Sequence, residues 1–399
     1  MIYRLAKGLT VRFLTSLILA AGLNGAVWAQ DEYSTEVVTA GLDHPWAVAV
    51  LPGGDMLITE KFGTLRLVSD GQLLEQPVLG GPSPIYSAVP DGAIVSLGYG
   101  DVGEGYVLYS GQGGLLDVVL HPDFASNGLV YLTWSEGTPR DNTLKLGRGR
   151  FEAGALVDFE EIFAAEPRRP TDVHYGARLV FLEDNSLLLG IGDGFDLREE
   201  AQRPESHYGT YVHLADDGTP MPSAVEGGGP GVFSYGHRNP QAVVRDPLTG
   251  TVYAHEHGPR GGDEINILTA GANYGWPITS YGIDYTGAIV TPFETYPGVT
   301  DPIHYWTPSI APAGMAIYRG EMFPEWEGDL IVSALIAGDA DAAGGHLRIV
   351  DLDGSAVAGE TIILGELEAR LRDVRVAPDG SLLVLEDAPD GRLIRVFKD

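Results

Sequence analysis

The chain has 399 residues and no cysteine, so it can bury a large core, and disulfides, thiol nucleophiles and cysteine-ligated metal centres are excluded. Its 55 acidic residues outnumber its 25 basic residues, and the resulting net charge of −30 disfavours nucleic acid and anionic membrane surfaces as partners. The 54 glycines and 26 prolines indicate many tight turns and few long helices.

The N-terminus has the features of a secretory signal peptide. Basic residues precede an apolar run at 13–22, and the small residue Ala29 ends a plausible cleavage site. The apolar run is about half of the roughly 20 residues that a membrane-spanning helix needs. We therefore predict a signal peptide at 1–29 and a single mature domain at 30–399. We expect a periplasmic or secreted protein with no membrane insertion after the signal is removed.

One short unit recurs six times along the chain: an apolar strand, a turn rich in Pro, Asp and Gly, and a second apolar strand ending in polar residues. The turns lie at positions 52, 122, 183, 247, 319 and 378. Their mean spacing of about 65 residues leaves room for four strands and a long loop per unit. We predict an all-β, six-bladed β-propeller; a pair of β-sandwiches is the alternative. Residues 33–41 are predicted to supply a strand that closes the last blade against the first.

Polar residues at corresponding positions of the repeat are expected to face one central cavity, because equivalent positions of a propeller lie at equal heights around its axis. The residues selected in this way are Gln112, His174, Asp193, Arg238, Asn239, Glu256, His257, Arg370 and Arg372. The stretch 235–277 has the highest density of polar groups. Its Gly and Pro residues break regular structure, which leaves carbonyl and carboxylate oxygens available to a hard cation such as calcium.

His174 and Asp193 lie at the two ends of one predicted hairpin. Such a hairpin brings its ends together, so the imidazole and the carboxylate can pair and leave the second imidazole nitrogen as a general base. A histidine with a purely structural hydrogen bond is the alternative. Asp263 and Glu264 follow a Gly-rich turn and, with carbonyls of the loop, are a weaker candidate for calcium.

Three arginines are candidates for binding an anion. Arg238 can polarise a carbonyl or bind a carboxylate; an inter-blade salt bridge is the alternative. Arg370 and Arg372 are two residues apart, so in a strand both side chains lie on one face. Two like charges on one face favour an anion between them, unless the adjacent Asp373 neutralises one of them.

Together, ten motifs resemble those of the pyrroloquinoline quinone (PQQ)-dependent glucose/aldose sugar dehydrogenase family, glucose/sorbosone dehydrogenase-like quinoproteins with a six-bladed propeller fold. The resemblance covers residues 42–396. The motifs are His44-Pro45-Trp46, Gly111-Gln-Gly-Gly-Leu-Leu116, His121-Pro-Asp-Phe124, Gly192-Asp193, Gly236-His-Arg-Asn239, Gly258-Pro259, Asp263-Glu-Ile-Asn266, Asn273-Tyr-Gly-Trp276, Pro308-Ser-Ile-Ala-Pro312 and Arg370-Leu-Arg-Asp373. Several long motifs in one order are far more specific than any single motif.

The resemblance implies a role for each matched residue. His174 would be the base that takes the proton of the sugar's C1 hydroxyl, Asp193 would orient it, and Arg238 would polarise the C5 carbonyl of PQQ. The implied cofactor contacts are Gln112, Arg238, Asn239, His257, Ser309, Arg370 and Arg372. The implied calcium ligands are Gly258 and Pro259 beside PQQ, and Asp263, Glu264 and Tyr274 at a second, structural site.

The chain departs from the family pattern at four places. Where glucose dehydrogenases of the family have a cofactor-binding lysine, this chain has Ala334-Leu-Ile336. His257 stands where the family has Gln, and Ala177 replaces a Gly. Residues 80–105 are interpreted as an insertion beside the cofactor loop.

The resemblance implies an exported enzyme that oxidises the C1 hydroxyl of aldoses to lactones, transfers hydride to PQQ and passes electrons to an acceptor that the sequence does not identify. Two other functions remain open. A calcium-dependent lactonase would need side-chain carboxylates and Asn around an axial metal and no anion-binding Arg pair. A non-catalytic binding propeller would follow if the missing lysine and the insertion had closed the cofactor site.

Overall fold

The structure is a computed structural model that describes residues 27–28, 33–82, 111–338 and 344–398. Most of the predicted signal peptide and most of the predicted insertion lie outside the described residues. Within the described ranges, no helix is long and apolar enough to cross a membrane.

The described residues form mostly short β-strands. In chain order the first strands are β1 (Val27–Trp28), β2 (Ser34–Leu42), β3 (Pro45–Val50), β4 (Met56–Glu60), β5 (Thr64–Ser69), β6 (Gln72–Leu73), β7 (Leu115–Leu120), β8 (Leu129–Thr138), β9 (Asp141–Glu152), β10 (Ala155–Ala164), β11 (Gly176–Phe181) and β12 (Leu187–Ile191). They are followed by β13 (Thr210–Leu214), β14 (Val232–Tyr235), β15 (Pro240–Arg245), β16 (Val252–Glu256), β17 (Asp263–Ile267), β18 (His304–Trp306), β19 (Pro312–Ile317), β20 (Leu330–Ala334), β21 (Leu347–Asp353), β22 (Ala356–Ile363), β23 (Leu371–Val376), β24 (Leu382–Glu386) and β25 (Gly391–Phe397).

Helical structure in the described residues is limited to single turns. The α-helical turn is α1 (Phe124–Asn127), and the 3₁₀ segments are Arg198–Gln202, Pro324–Trp326 and Gly365–Leu367.

The strands form six sheets, which are the blades of a six-bladed β-propeller. Strands β3–β6, β7–β10, β11–β14 and β15–β18 form blades 1 to 4, β19–β22 form blade 5, and β23–β25 with β2 form blade 6. The short strand β1 adds to the outer edge of β22 in parallel. All six predicted hairpins are present as the first two strands of the blades, so the predicted fold is confirmed.

The propeller closes by pairing the two ends of the described domain. Strand β2 pairs antiparallel with β25, with Thr35 opposite Val396, so blade 6 is built from both termini. This confirms the predicted closing strand. The innermost strands β3, β7, β11, β15, β19 and β23 contact one another in cyclic order around the axis.

Each blade combines an apolar packing face with an irregular inner end. The second strands of blades 1, 3, 4 and 5 are buried along their whole length because neighbouring blades cover both of their faces. In all six blades the pairing between the first two strands has a register shift near the start of the inner strand. Because a bulge turns side chains away from strict alternation, polar residues can point to the axis at these places.

A buried ion cluster ties the inner strands together. Arg178 of β11 pairs with Asp117 and with Asp373, each at 3.0 Å. Arg375 contacts the same two carboxylates, at 3.4 Å and 3.2 Å. We call these four residues the axial ion cluster; it contains two positive and two negative charges.

Arg178 also contacts two further blades. Its guanidinium donates to the carbonyl of Gln241 at 3.1 Å and to that of Trp46 at 3.4 Å, and it lies 4.0 Å from the centre of the Trp46 indole. With its partners in blades 2 and 6, this one side chain connects five of the six blades. The inner strands are therefore held by charge pairing as well as by apolar packing.

Candidate active site

A cavity of about 630 Å³ opens beside the axial ion cluster, and all six blades contribute to its wall. Its polar and charged lining residues are His44, Lys61, Gln112, Tyr175, Asn239, Gln241, His257, Arg370, Arg372 and Asp387. Five residues predicted from the sequence thus meet at one cavity: Gln112, Asn239, His257, Arg370 and Arg372. His174 and Arg238 are not lining residues; they precede the lining residues Tyr175 and Asn239 in the chain, and the main-chain N–H of His174 donates to the lining residue Gln112.

His174 and Asp193 form a buried hydrogen-bonded pair. The distance between His174 Nδ1 and Asp193 Oδ1 is 2.7 Å, and both residues are buried. The main chain of His174 is held at φ 55°, in the region that favours glycine, and its N–H donates to Gln112 Oε1 at 2.8 Å. The imidazole meets Phe195 edge-on at 5.0 Å. The position of the imidazole is therefore set by the carboxylate, the main chain and an aromatic side chain.

The surroundings of this pair favour a neutral histidine and an ionised aspartate. Burial lowers the pKa of His174, and Asp193 counteracts that only in part. Burial acts to raise the pKa of Asp193, but the hydrogen bond and charge of His174 and the charge of Arg238 hold it below its ordinary value. Trp276 Nε1 and the Phe195 N–H also donate to the carboxylate, at 2.8 Å and 2.7 Å. Asp193 therefore accepts the Nδ1 proton, and Nε2 of neutral His174 is left as the basic nitrogen.

Arg238 is a buried cation bound to main-chain carbonyls. Its Nη1 donates to the carbonyls of His257 at 3.0 Å and Gly258 at 2.5 Å, and its guanidinium lies 5.2 Å from the Trp276 ring. The main-chain N–H of Arg238 donates to a carboxylate oxygen of Glu256. Glu256 also accepts from His237 Nδ1 at 2.9 Å, so it does not face the cavity as the repeat rule predicts.

Arg370 and Arg372 share one carboxylate, that of Asp387. The nitrogen–oxygen distances are 3.4 Å from Arg370 and 2.8 Å from Arg372. Burial acts to raise the pKa of Asp387, but the hydrogen bond from His44 and the two arginines lower it well below its ordinary value. Asp373 is not the neutralising neighbour considered from the sequence, because it belongs to the axial ion cluster. The arginine pair therefore adds net positive charge to the cavity.

His257 and Asn239 complete the blade 4 wall with fixed hydrogen bonds. Burial lowers the pKa of His257 well below its ordinary value, so the imidazole is neutral. Its Nε2 donates to the carbonyl of Pro312 at 2.8 Å, which leaves Nδ1 as the acceptor. Asn239 Oδ1 accepts from Gln241 Nε2 at 3.2 Å.

Ser309 and Asp263 bind each other instead of lining the cavity. The Ser309 hydroxyl donates to Asp263 Oδ2 at 2.6 Å, and the N–H groups of Ile310 and Ala311 donate to the same oxygen. Asp263 Oδ1 accepts from the Gly258 N–H at 2.9 Å. Burial raises the pKa of Asp263 to about 6, although all of these donors favour its ionised form. This carboxylate joins the loops at 258–263 and 309–311.

Glu264 lies near three other carboxylates, those of Glu256, Asp263 and Asp301. Burial raises the pKa of Glu264 well above its ordinary value, and the charge of Glu256 adds to this. Asn266 Nδ2 donates to Glu264 at 3.3 Å, and Asn266 Oδ1 is buried without a partner. A half-buried carboxylate and an unpartnered amide oxygen fit a hard cation. Within the described part of the chain, however, no group of three or more His, Asp or Glu side chains is arranged to hold a metal.

Sequence reasoning missed Lys61, His44 and Asp387, which line the cavity. Lys61 directly follows the last residue of β4, the position that His257 holds after β16 in blade 4, so the repeat rule contained a signal for it. Asp387 directly follows β24 in the same way, so it carries the same signal, whereas none marks His44, which lies in the loop between β2 of blade 6 and β3 of blade 1.

Known proteins resemble this chain along most of its length. The family model described as Glucose / Sorbosone dehydrogenase matches residues 42–395. Aldose sugar dehydrogenase YliI of Escherichia coli is 37% identical over 395 residues, which cover 96% of this chain and 97% of that protein.

Two solved structures agree in fold as well as sequence. The apo form of the aldose sugar dehydrogenase from Escherichia coli superposes with a TM-score of 0.79 at 36% identity, covering 92% of this chain and 100% of that chain. The PQQ-bound aldose sugar dehydrogenase from Streptomyces coelicolor gives a TM-score of 0.66 at 26% identity, covering 92% of this chain and 99% of that chain.

Proposed function

The chain belongs to the glucose/sorbosone dehydrogenase family, and from this premise we propose that it is an exported quinoprotein that oxidises the C1 hydroxyl of aldoses to lactones with PQQ as its cofactor. The observation that carries the proposal is the His174–Asp193 pair, held at 2.7 Å beside a cavity with a net positive lining. The aldose sugar dehydrogenases from Escherichia coli and Streptomyces coelicolor, the second of them in a PQQ-bound form, support the substrate class and the cofactor.

His174 is the proposed base. Nε2 of the neutral imidazole takes the proton of the C1 hydroxyl, and the ionised Asp193 stabilises the imidazolium that forms. Because Asp193 is fixed by Trp276 and the Phe195 N–H, it holds the imidazole in one tautomer and orientation. PQQ, when bound, supplies the carbonyl carbon that accepts the hydride from C1.

The cavity wall offers suitable groups for an acidic, flat cofactor. We propose that Arg370 and Arg372 bind its carboxylates and that Arg238 and Asn239 contact its quinone oxygens. Gln112 and His257 would complete its contacts, and Ser309 would support the wall through Asp263. The volume of about 630 Å³ is within the range of ordinary ligand sites.

Calcium is the second proposed cofactor. Carbonyls of Gly258 and Pro259 would hold one ion beside PQQ, and Glu264 and Tyr274 would hold another. Asp263, whose carboxylate oxygens already accept from Ser309 and three N–H groups, would support the second ion by fixing the loop. The unpartnered Asn266 Oδ1 next to the Glu264 carboxylate supports a cation at the second place. The Tyr274 hydroxyl donates to the Ile267 carbonyl at 2.6 Å, so Tyr274 would contribute through its own carbonyl.

Reconstitution tests the proposal directly. Cofactor-free protein is mixed with PQQ and calcium, and reduction of an artificial dye is followed with a panel of aldoses; we expect activity that needs PQQ. His174→Ala is expected to lower kcat by about 10²- to 10⁴-fold, the usual contribution of a general base, with PQQ affinity nearly unchanged.

Two results would contradict the proposal. One is the absence of dye reduction with every aldose when PQQ is shown to be bound. The other is hydrolysis of a lactone without PQQ, which would assign the lactonase function instead. A fully active His174→Ala variant would remove this residue as the base and leave the substrate class standing.

A further inference from the structure

Lys61 is a cation of the cavity wall, positioned by its main chain. Its N–H donates to the His44 carbonyl at 3.0 Å, and its carbonyl accepts from the Leu115 N–H at 3.0 Å. The main chain at 114–115 can lie this close to Lys61 because residue 114 is glycine: a Cβ on Gly114 would lie 2.1 Å from the Lys61 carbonyl oxygen. The residue is thus fixed between blades 1 and 2, and its half-buried side chain lines the cavity.

The charges around Lys61 are unbalanced. Among the described residues, three cationic side chains line the cavity, Lys61, Arg370 and Arg372, against the single carboxylate Asp387. Burial lowers the pKa of Lys61, and Arg372 and Arg370 lower it further, whereas Asp387 and Asp172, which is not a lining residue, act in the opposite direction. The Lys61 ammonium is therefore held in a place where an incoming anion would stabilise it.

The described residues of blade 5 contribute no charge to the same wall. Its lining residues are Ala311 and Leu335, both apolar. The positive side of the cavity is consequently formed by blades 6 and 1, which are neighbours in the propeller. Among the described lining residues, cations that a ligand carboxylate could meet therefore lie on this side.

We propose that Lys61 binds a carboxylate of the cofactor directly, as a third cation beside Arg370 and Arg372. This rests on the proposed function, because it takes PQQ, a tricarboxylate, as the ligand. One N–H of the ammonium donates to the Gly111 carbonyl at 2.9 Å. A purely structural role, in which Lys61 only holds Gly111 and the adjacent Gln112, is the competing explanation.

The test is titration of cofactor-free protein with PQQ, followed by tryptophan fluorescence, with PQQ trimethyl ester as the uncharged probe. We expect Lys61→Met to weaken PQQ binding by about ten- to a hundredfold, the range of a charge-assisted hydrogen bond. It should weaken binding of the ester by less than about twofold, because the ester offers no charge to lose. Lys61→Arg should recover most of the affinity for PQQ.

Lys398→Met is the matched control, since Lys398 pairs with Glu325 far from the cavity wall. It is expected to bind both probes like the wild-type protein, and circular dichroism melting verifies that each variant folds. Equal weakening of PQQ and of its ester in Lys61→Met would assign the structural role and overturn our inference. Unchanged PQQ binding would overturn it as well. Failure of the wild-type protein to bind PQQ would instead defeat the proposed function, and this inference with it.

Discussion

The axial ion cluster and the adjacent cavity use the same residue types for different ends. In the cluster, Arg178 and Arg375 face Asp117 and Asp373, and the charges cancel. In the cavity, three cations face one carboxylate among the described lining residues. The balanced set closes the centre of the propeller, and the unbalanced set leaves a place that an anionic ligand can neutralise.

The boundary between the two regions runs through consecutive residues of β23. The side chain of Arg372 lines the cavity, whereas its carbonyl lies 3.5 Å from Arg178 Nη2 and the next residue, Asp373, belongs to the cluster. A register shift between Leu371 and Asp373 accompanies this change of direction. Neighbouring side chains at one strand end therefore serve binding and stability separately. Single substitutions can test whether the cavity and the axial ion cluster have these two different roles.

The largest effect on stability is expected from Arg178→Met. The substitution leaves Asp117 and Asp373 buried with Arg375 as their remaining cation, and breaking a buried ion pair typically costs about 3–5 kcal/mol. Urea unfolding measures the loss in free energy of unfolding. A loss below about 1 kcal/mol would show that the cluster does not hold the propeller together.

A smaller effect, on binding instead of stability, is expected from Arg372→Met. Removal of one charge-assisted contact should weaken PQQ binding by about ten- to a hundredfold. The free energy of unfolding should change by less than about 1 kcal/mol, because Asp387 keeps Arg370 and His44 as partners. A large loss of stability here would erase the distinction between cavity and cluster.

The smallest effect is expected from Arg370→Met. The side chain of Arg370 is 50% exposed, against 14% for Arg372, so water and salt screen its charge more strongly. We expect PQQ affinity to fall by only about two- to fivefold. PQQ titrations of Arg370→Met and Arg372→Met at low and high salt measure the loss of affinity in each variant. A larger loss of affinity for Arg370→Met would reverse the assigned order.

Repetition is what made the fold predictable from the sequence. Each hairpin is short and local, so its apolar runs and turn residues are visible without knowledge of distant partners. The pairing of His174 with Asp193 followed from the same hairpin. Arg370 and Arg372 were expected on one face of a strand, and both line one cavity, although Arg370 precedes β23 and a register shift follows Leu371.

Contacts between distant blades were not predictable in this way. Asp117 and Asp373 are 61 and 195 residues from Arg178 in the sequence, and no local pattern joins them. Glu256 was expected at the cavity, but His237 and the Arg238 N–H bind it instead. The repeat rule gives the height of a residue along the propeller axis. Bulges and neighbouring blades decide in which direction its side chain points.

The closing pair β2 and β25 also constrains the order in which the chain can assemble. Blade 6 needs strands from both ends, and Arg178, made in blade 3, finds Asp373 only when β23 is in place. A nascent polypeptide therefore lacks one of the two carboxylates that pair with Arg178, and has an open sheet edge, until its last thirty or so residues emerge. Completion of the circle should thus be a late and cooperative event, and C-terminal truncations should yield aggregates, not a five-bladed intermediate.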